Sequence, residues 1–403
     1  MKFSLQHLFG NKGAAICGLV GAYCAITAEA SAATTPPPIA LASYASPGLE
    51  HVFVWSWSNQ SCITQFVHSS SGWVHNCVQI QIGAGHTGPA KGTKIFGYYS
   101  SGDNQDHLFY QSSEGNIHEA YWTDNPGANG AVTDTDLTAT LHTYVGHGSV
   151  DKYAGNQIFV NPSTLTGFFE GNLNHIFYSD ATGVIRELYH YSGGWSTGHA
   201  SRAANAVNGR GLSSQWDGGC EHIYYTATDG GLWEDYDCGS WQSHELSGPS
   251  GAITPPITGG QVPSGYLTSY DISGTQGIWG IQSDRTELRY VQYVNQWESL
   301  EVSVPALGDP SSAVISVNFN PYYVGSDGLI YDFSTSLQSL YGGPAVLRTA
   351  SGTQLSEITG FLDTASYSHI FYVGTDGDLH EYYQAPNQTT WSMSQLTSGY
   401  RYQ

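Results

Sequence analysis

Basic side chains are scarce in this chain of 403 residues. Lysine and arginine together number 12 against 33 aspartates and glutamates, which gives a formal charge of −21. Because nucleic-acid binding requires a basic surface, this composition excludes nucleic acid as a partner. Charged residues make up only 11% and aromatics 13%, with 49 glycines and 28 tyrosines. This balance favours tightly turned β-structure with little helix.

Long apolar runs are almost absent, and the exception lies near the N-terminus. Ala14 to Thr27 is apolar, is preceded by Lys2 and Lys12, and is followed by small residues. This pattern predicts a cleaved secretory signal over residues 1–32, followed by a proline-rich leader over 33–38. No later run approaches the ~20 residues of a membrane span. We therefore expect a secreted, extracellular protein without a membrane span.

The common signatures of catalysis and cofactor binding are also missing. The chain has no G-x-S-x-G, H-E-x-x-H or P-loop motif, and its 16 histidines are spread along the chain. We therefore predict no catalytic residue, no cofactor and no metal site.

Four cysteines follow the predicted signal, and each close pair brackets one predicted turn. We expect two local disulfides, Cys62 with Cys77 and Cys220 with Cys238, each pair facing across a hairpin. Four zinc-binding thiolates are the alternative, but no C-x-x-C pair supports them.

A sequence pattern recurs along most of the chain. In four copies a glycine lies eight residues after a histidine and a glutamate lies twelve after it, at His107, His175, His222 and His369. A less clear copy begins at His51, and two degenerate copies lie around Gln276 and Asn320. A repeat of this length indicates a repeated architecture, here with seven units.

Each repeat reads as four short strands separated by turns. This predicts an all-β fold, a β-propeller of four-stranded blades that occupies residues 39–403 as a single domain. Seven blades are expected, with six as the alternative. A polar insertion from Thr123 to Asn161 is predicted to form a loop on the rim.

The repeated glutamates are the candidate binding residues. Pairing the second and third strands about the Asp-Gly turn predicts a tyrosine opposite each glutamate, as Glu119–Tyr110, Glu187–Tyr178, Glu234–Tyr225 and Glu381–Tyr372. A tryptophan lies near each pair. Carboxylates suit sugar hydroxyls and indole rings suit sugar C–H faces. The alternative is structural, with glutamates that cap backbone amides and tryptophans that pack between blades.

These repeats resemble the fucose-specific lectin propellers of fungi and bacteria, including related seven-bladed bacterial lectins. The resemblance covers most of the chain and implies a fucose between adjacent blades, held by an arginine and a glutamate and stacked on a neighbouring tryptophan. It places the glutamates at the four positions above and the stacking rings at Trp122, Trp195, Trp241, Trp297 and Trp391. The family arginine has no counterpart, because we align its position with Leu108, Ile176, Ile223 and Ile370.

Together these features predict a multivalent, non-catalytic lectin for fucose or other terminal monosaccharides of glycans. Two alternatives remain open. A propeller glycosidase or sialidase would concentrate its acids in one special unit, and a protein-interaction scaffold would not depend on sugar. The identity of the sugar, the number of working sites and the oligomeric state are not predicted.

Overall fold

Each predicted repeat folds into one four-stranded antiparallel sheet in the computed structural model of the chain. The structure describes residues 39–56, 62–79, 89, 94–112, 116–123, 132–138, 165–170, 173–179, 184–191, 193–199, 211–227, 230–247, 263–272, 275–282, 287–293, 296–303, 314–318, 320–325, 329–332, 345–347, 358–388 and 390–397. The described strands belong to one compact unit, Pro36–Gln403. The predicted signal and leader, residues 1–38, lie outside the described residues.

Seven sheets, with their strands in chain order, make up the described architecture. Blades 1 to 4 contain β1 Ile39–Ser46, β2 Leu49–Ser56, β3 Cys62–Ser69, β4 Gly72–Gln79; β5 Ile95–Ser100, β6 Gln105–Gln111, β7 Ile117–Thr123, β8 Thr133–Asp136; β9 Leu165–Glu170, β10 Leu173–Ser179, β11 Ile185–Tyr191, β12 Gly194–His199; β13 Leu212–Trp216, β14 Glu221–Thr226, β15 Leu232–Asp237 and β16 Trp241–Glu245.

The remaining three blades follow the same order. Blades 5 to 7 contain β17 Pro263–Ile272, β18 Thr275–Gln282, β19 Glu287–Tyr293, β20 Trp297–Ser303; β21 Val314–Val317, β22 Asn320–Val324, β23 Ile330–Asp332, β24 Ala345–Leu347; β25 Ile358–Leu362, β26 Ser368–Val373, β27 Leu379–Gln384 and β28 Ser392–Gln395. The all-β propeller of four-stranded blades is therefore confirmed.

The first strands of the blades form the inner wall of the ring. Each contacts the first strand of the next blade, from β1 through β5, β9, β13, β17 and β21 to β25, and β25 contacts β1. At this last junction the hydroxyls of Ser43 and Thr359 are hydrogen-bonded at 2.8 Å. The ring of sheets therefore closes without any strand exchanged between the first and last blades.

The second strand of most blades is buried on both faces, which explains its run of apolar and aromatic residues. All six residues of β26 are buried, and β6 and β10 are buried after their first residue. One face packs against the preceding blade and the other against the following blade, as Leu108 and Phe109 of β6 show. Rings such as Phe109 and Phe371 are completely buried there.

The predicted rim insertion contains one strand of a blade. Thr133–Asp136 forms β8, the fourth strand of blade 2, and pairs with β7. The prediction of a loop over the whole of Thr123–Asn161 was therefore wrong, because a polar fourth strand needs little apolar sequence. Residues 139–161 lie outside the described residues.

One predicted disulfide is present as expected. Cys220 and Cys238 are bonded across the β14–β15 hairpin, with their Cα atoms 4.5 Å apart. Cys77 is also disulfide-bonded, but the β3–β4 register places Thr64, not Cys62, directly opposite it. The side chain of Cys62 is outside the described residues. Within the described part of the chain, no helix is long and apolar enough to cross a membrane.

Candidate functional site

The histidine and glutamate of each clear repeat form a buried hydrogen-bonded pair. The histidine starts the second strand, and the glutamate lies in the third strand on the same face. All eight side chains belong to residues that are at most 6% exposed. The Nδ1–Oε1 distances are 2.8 Å for His107–Glu119, 2.9 Å for His175–Glu187, 2.8 Å for His222–Glu234 and 2.7 Å for His369–Glu381.

The predicted glutamate–tyrosine pairs were wrong by one residue of register. Glu381 lies opposite Phe371, and Tyr372 lies opposite His380. A slip of one residue moves a side chain to the other face of the sheet. The same correction applies to Glu119, Glu187 and Glu234, which lie opposite Phe109, Phe177 and Tyr224.

The four tyrosines therefore lie on the face of the sheet that is turned away from the glutamates. Tyr110 donates to Asp134 at 2.8 Å and Tyr225 donates to Asp235 at 3.2 Å. Tyr372 stacks on His380 with ring centroids 5.1 Å apart. Tyr178 belongs to the apolar cluster of the same face.

Each glutamate face, and the corresponding face of blades 1 and 6, is closed by a tryptophan of the following blade. This tryptophan lies on or next to the fourth strand, except for Trp122 on the third strand β7. The tryptophan meets the central ring of the second strand edge to face. The ring centroids are 5.8 Å apart for Phe53–Trp122, 5.7 Å for Phe109–Trp195, 6.1 Å for Phe177–Trp241, 5.9 Å for Tyr224–Trp297 and 5.6 Å for Tyr322–Trp391.

Two of these indoles also bind a carboxylate of the preceding blade. Trp195 donates from Nε1 to Glu119 at 2.9 Å, and Trp391 donates to Asp332 at 2.8 Å. The candidate site is therefore a groove between two blades, and its glutamate and tryptophan come from different repeats. The tryptophans also pack the blades together, as the structural alternative expects.

Sequence reasoning missed two further groups in these grooves. Trp73 of β4 closes the groove of Glu381, with its ring centroid 5.9 Å from that of Phe371. In addition, the residue at the position before the repeated histidine reaches the histidine of the preceding blade in several copies, as Glu221 does at 3.4 Å from His175 and Gln276 at 2.9 Å from His222. The repeat spacing could have marked this position, since it precedes the histidine in five of the copies.

The position that faces each glutamate from the second strand is therefore the histidine. The aligned positions Leu108, Ile176, Ile223 and Ile370 belong to the opposite face, where all four are completely buried. A histidine, and not one of these aliphatic residues, therefore lies beside the glutamate in each of these grooves.

The carboxylate decides the charge of the histidine in each groove. Burial alone would lower the pKa of His222, but the hydrogen bond and charge of Glu234 outweigh burial and raise it. The pKa values of His107 and His175 are raised in the same way by Glu119 and Glu187. Burial lowers the pKa of His51 to about 3. Its third-strand partner is the neutral Gln65, at 3.2 Å.

The groove between blades 3 and 4, which we call the third groove because grooves are numbered by their first blade, carries an excess of acid. Burial raises the pKa of Glu221 to about 8, although the charge of His175 opposes the rise, and the nearby Glu187 adds to it. Burial therefore favours the neutral form of the Glu221 carboxyl.

Each pair leaves one glutamate oxygen directed away from the histidine, toward the fourth strands. Glu119 Oε2 accepts from Trp195, Glu381 Oε2 accepts from Ser394 at 2.6 Å, and Glu234 Oε2 lies 3.7 Å from Nδ1 of the half-exposed His244. In the grooves closed by Trp195 and Trp241, a charged acceptor lies beside a partly exposed indole face, a combination that suits a polyhydroxylated ring. Trp297, beside Glu234, is only 4% exposed.

No family model and no curated protein matches the chain. Solved structures do match. The BP39L lectin from Burkholderia pseudomallei shares 14% identity at a TM-score of 0.64, over 89% of this chain and 98% of the lectin. The AofleA protein from Arthrobotrys oligospora shares 15% identity at a TM-score of 0.51, over 90% and 87% of the two chains.

A third match is a point mutant of the Aleuria aurantia lectin in complex with α-methyl-L-fucoside. It shares 15% identity at a TM-score of 0.50, over 89% of this chain and 94% of the lectin. In fold, this chain is therefore a β-propeller of the kind found in these lectins.

Proposed function

We propose that the protein is a multivalent lectin that binds terminal monosaccharides of glycans in its inter-blade grooves. The observation that carries the proposal is the repetition of one polar set between blades. A buried histidine–glutamate pair of one blade meets a tryptophan of the next in three successive grooves, closed by Trp195, Trp241 and Trp297.

In this proposal the apolar face of the sugar stacks on the tryptophan and a hydroxyl donates to the outward glutamate oxygen. The histidine holds the other oxygen of that glutamate and fixes the orientation of the carboxylate. The groove partners are Glu119 with Trp195, Glu187 with Trp241 and Glu234 with Trp297, and Glu381 takes the same role in the seventh blade. The four tyrosines lie on the opposite face of each sheet from the glutamate and are not part of the same groove: Tyr110, Tyr178, Tyr225 and Tyr372.

The fold likeness supports a sugar of the fucose class as the first candidate, since one similar structure is a fucoside complex. Histidine is a weaker and less extended donor than the bidentate arginine of that family. We therefore expect a wider range of terminal monosaccharides, each bound weakly at one groove and more tightly by the whole ring through avidity.

Binding, rather than catalysis, fits the distribution of the acids. A glycosidase needs one centre with two carboxylates at a defined separation, whereas here equivalent carboxylates recur around the ring. We further propose that the protein is exported, which is supported by the disulfide between Cys220 and Cys238, because such bonds persist in oxidising compartments.

A glycan array tests the proposal. The chain from residue 33 onward is applied with and without free L-fucose as competitor. We expect selective signals on a group of related terminal sugars. Signals that fucose abolishes would assign the fucose class, and selective signals that it leaves unchanged would assign another sugar. An array without any selective signal would refute the lectin proposal and favour a protein-interaction scaffold.

A further inference from the structure

Three side chains from the two ends of the chain meet where the seventh blade closes on the first. Glu50 lies on β2 of blade 1, while Asp363 follows β25 and His369 lies on β26 of blade 7. Nε2 of His369 is 3.8 Å from Oε1 of Glu50 and 3.7 Å from Oδ2 of Asp363. These three atoms all lie within 4.8 Å of one another.

Each of these three atoms belongs to a side chain whose other polar atom is already held in place. The three ligand side chains are therefore oriented before anything binds between them, which is how metal ligands are positioned in proteins. The holding partners are Glu381 for Nδ1 of His369 (2.7 Å), Nδ1 of His68 for Oε2 of Glu50 (3.1 Å) and the N–H of Tyr367 for Oδ1 of Asp363 (2.6 Å).

The second nitrogen of His369 indicates that this cluster takes a ligand. The residue is 5% exposed, and its Nε2 has no hydrogen-bond partner among the described residues. When Nδ1 carries the proton that Glu381 accepts, Nε2 presents a lone pair toward two carboxylate oxygens. A buried, unpaired polar atom is costly, and a cation at the centre would satisfy all three groups.

We propose that Glu50, Asp363 and His369 bind a divalent transition-metal ion, for which Zn²⁺ is the probe, across the closure of the ring. One imidazole and two carboxylates suit zinc, whereas calcium and magnesium prefer all-oxygen sites. Glu381 is the carboxylate that orients the ligating histidine from behind. Three protein ligands leave a fourth position for water. The site lies in the groove of Glu381 but uses the other nitrogen of His369, and the inference does not require that sugar binds there.

The fourth groove, between blades 4 and 5, shows what the same three positions do when one of the two carboxylates is replaced by an amide. There Gln276 replaces Glu50, beside Asp217 and His222. The amide Nε2 of Gln276 lies 2.9 Å from Nε2 of His222 and 3.1 Å from Oδ2 of Asp217. The amide satisfies these two groups, which also lie 3.2 Å from each other, and this groove therefore needs no ion.

This comparison supplies a matched variant. Glu50→Gln places a glutamine at the junction of blades 7 and 1, which we call the seam. The fourth groove already accommodates a glutamine at this position, so we expect the variant to fold. The control is Glu221→Gln, which changes the equivalent position of the third groove. There the carboxylate of Glu221 lies 3.4 Å from Nδ1 of His175, the nitrogen that is already hydrogen-bonded to Glu187, whereas Glu50 lies near Nε2 of His369.

The experiment is a zinc titration of the chelator-treated chain from residue 33 onward, by calorimetry and thermal melting. We expect one saturable site that raises the melting temperature, at least tenfold weaker binding and no melting shift in Glu50→Gln, and wild-type behaviour in Glu221→Gln. Absence of saturable binding, equal binding by Glu50→Gln, or loss in Glu221→Gln instead would overturn the proposal. None of these readouts involves sugar.

Discussion

At the scale of single residues, the groove is built from a histidine whose charge is set by one partner. A glutamate at hydrogen-bonding distance keeps the pKa of His222 raised, whereas the glutamine beside His51 leaves burial to lower the pKa to about 3. The choice between Glu and Gln at this one position thus decides whether a groove contains an ion pair or a neutral pair.

The first prediction concerns the pH dependence of the His222–Glu234 pair. The pKa of His222 is raised, so its contribution to stability is present below the ordinary histidine value and is lost as pH rises through the raised value. Burial would raise the pKa of Glu234, but hydrogen bonds from His222 and His244 outweigh burial and lower it. Its contribution is therefore lost as pH falls through the lowered value.

The pair thus stabilises most between about pH 5 and 6, where both partners are charged. We expect Glu234→Gln to lower the free energy of unfolding by about 1–3 kcal/mol there, and by less at pH 3 and pH 9. Urea unfolding of the two proteins at the three pH values measures this. A difference that does not vary with pH would show that the pair is not ionic.

Glycine in the first strand is required where blades approach closely. A Cβ on Gly167 would collide with the carbonyl oxygen of His175 and lie 2.9 Å from both Ile176 and Phe96. We expect Gly167→Ala to destabilise the protein by about 1–3 kcal/mol. Gly193 in the same blade is the control, since its added Cβ would lie 3.9 Å from Tyr191. Thermal melting of the two alanine variants tests this, and an equal loss of stability at Gly167 and Gly193 would contradict the close approach at Gly167.

At the scale of elements, sequence spacing predicted the hairpins but not their exact register. The fixed interval of twelve residues correctly joined His369 and Glu381 into one repeat. The hairpin between them closes with three residues between Gly374 and Asp378, with Gly377 in the left-handed conformation at φ 82°. A symmetric turn about Asp-Gly shifts the pairing by one residue, which reversed the face assigned to the tyrosines.

For contacts between blades, the sequence predicted which types of residue meet but not which individual residues. The repeats indicate that a tryptophan of one blade meets its neighbour, because a blade cannot bury both faces alone. They do not indicate which atoms meet, such as Trp195 Nε1 and Glu119, which are 76 residues apart. The seam cluster of Glu50, Asp363 and His369 was missed for the same reason, and no metal was predicted.

The disulfide of blade 4 stabilises one hairpin of the fold. Cys220 and Cys238 are 18 residues apart, and closing a loop of this size contributes about 3 kcal/mol in the chain-entropy description. We expect the double variant Cys220→Ser, Cys238→Ser to lose about 2–4 kcal/mol in urea unfolding. The bond of Cys77 remains in that variant, so reduction of the wild type should cost more. A double variant as stable as the wild type would contradict this.

At the scale of the whole molecule, the ring is closed by packing of blade 7 against blade 1, without a strand shared between them. The first strands β1 and β25 meet at the seam, and each blade is a continuous segment of chain. Removal of any blade therefore exposes the apolar faces of its two neighbours.

We expect a chain that ends at residue 351, without β25 to β28, to lose its monomeric folded state. Size-exclusion chromatography and near-ultraviolet circular dichroism should show aggregation and loss of fixed aromatic packing. A truncated chain that stays monomeric with native aromatic signals would mean that the seam contributes little to the stability of the ring.

The most direct test of the lectin account compares two variants on the same glycan array. The triple variant Glu119→Gln, Glu187→Gln, Glu234→Gln neutralises three groove carboxylates. The control Asp376→Asn neutralises an exposed carboxylate of the β26–β27 turn, which is bonded to His380 on the face turned away from Glu381. Because binding relies on several weak sites, we expect the triple variant to lose at least tenfold in signal while Asp376→Asn keeps wild-type signal. A triple variant that folds and binds glycans like the wild type would contradict the inter-blade sugar site.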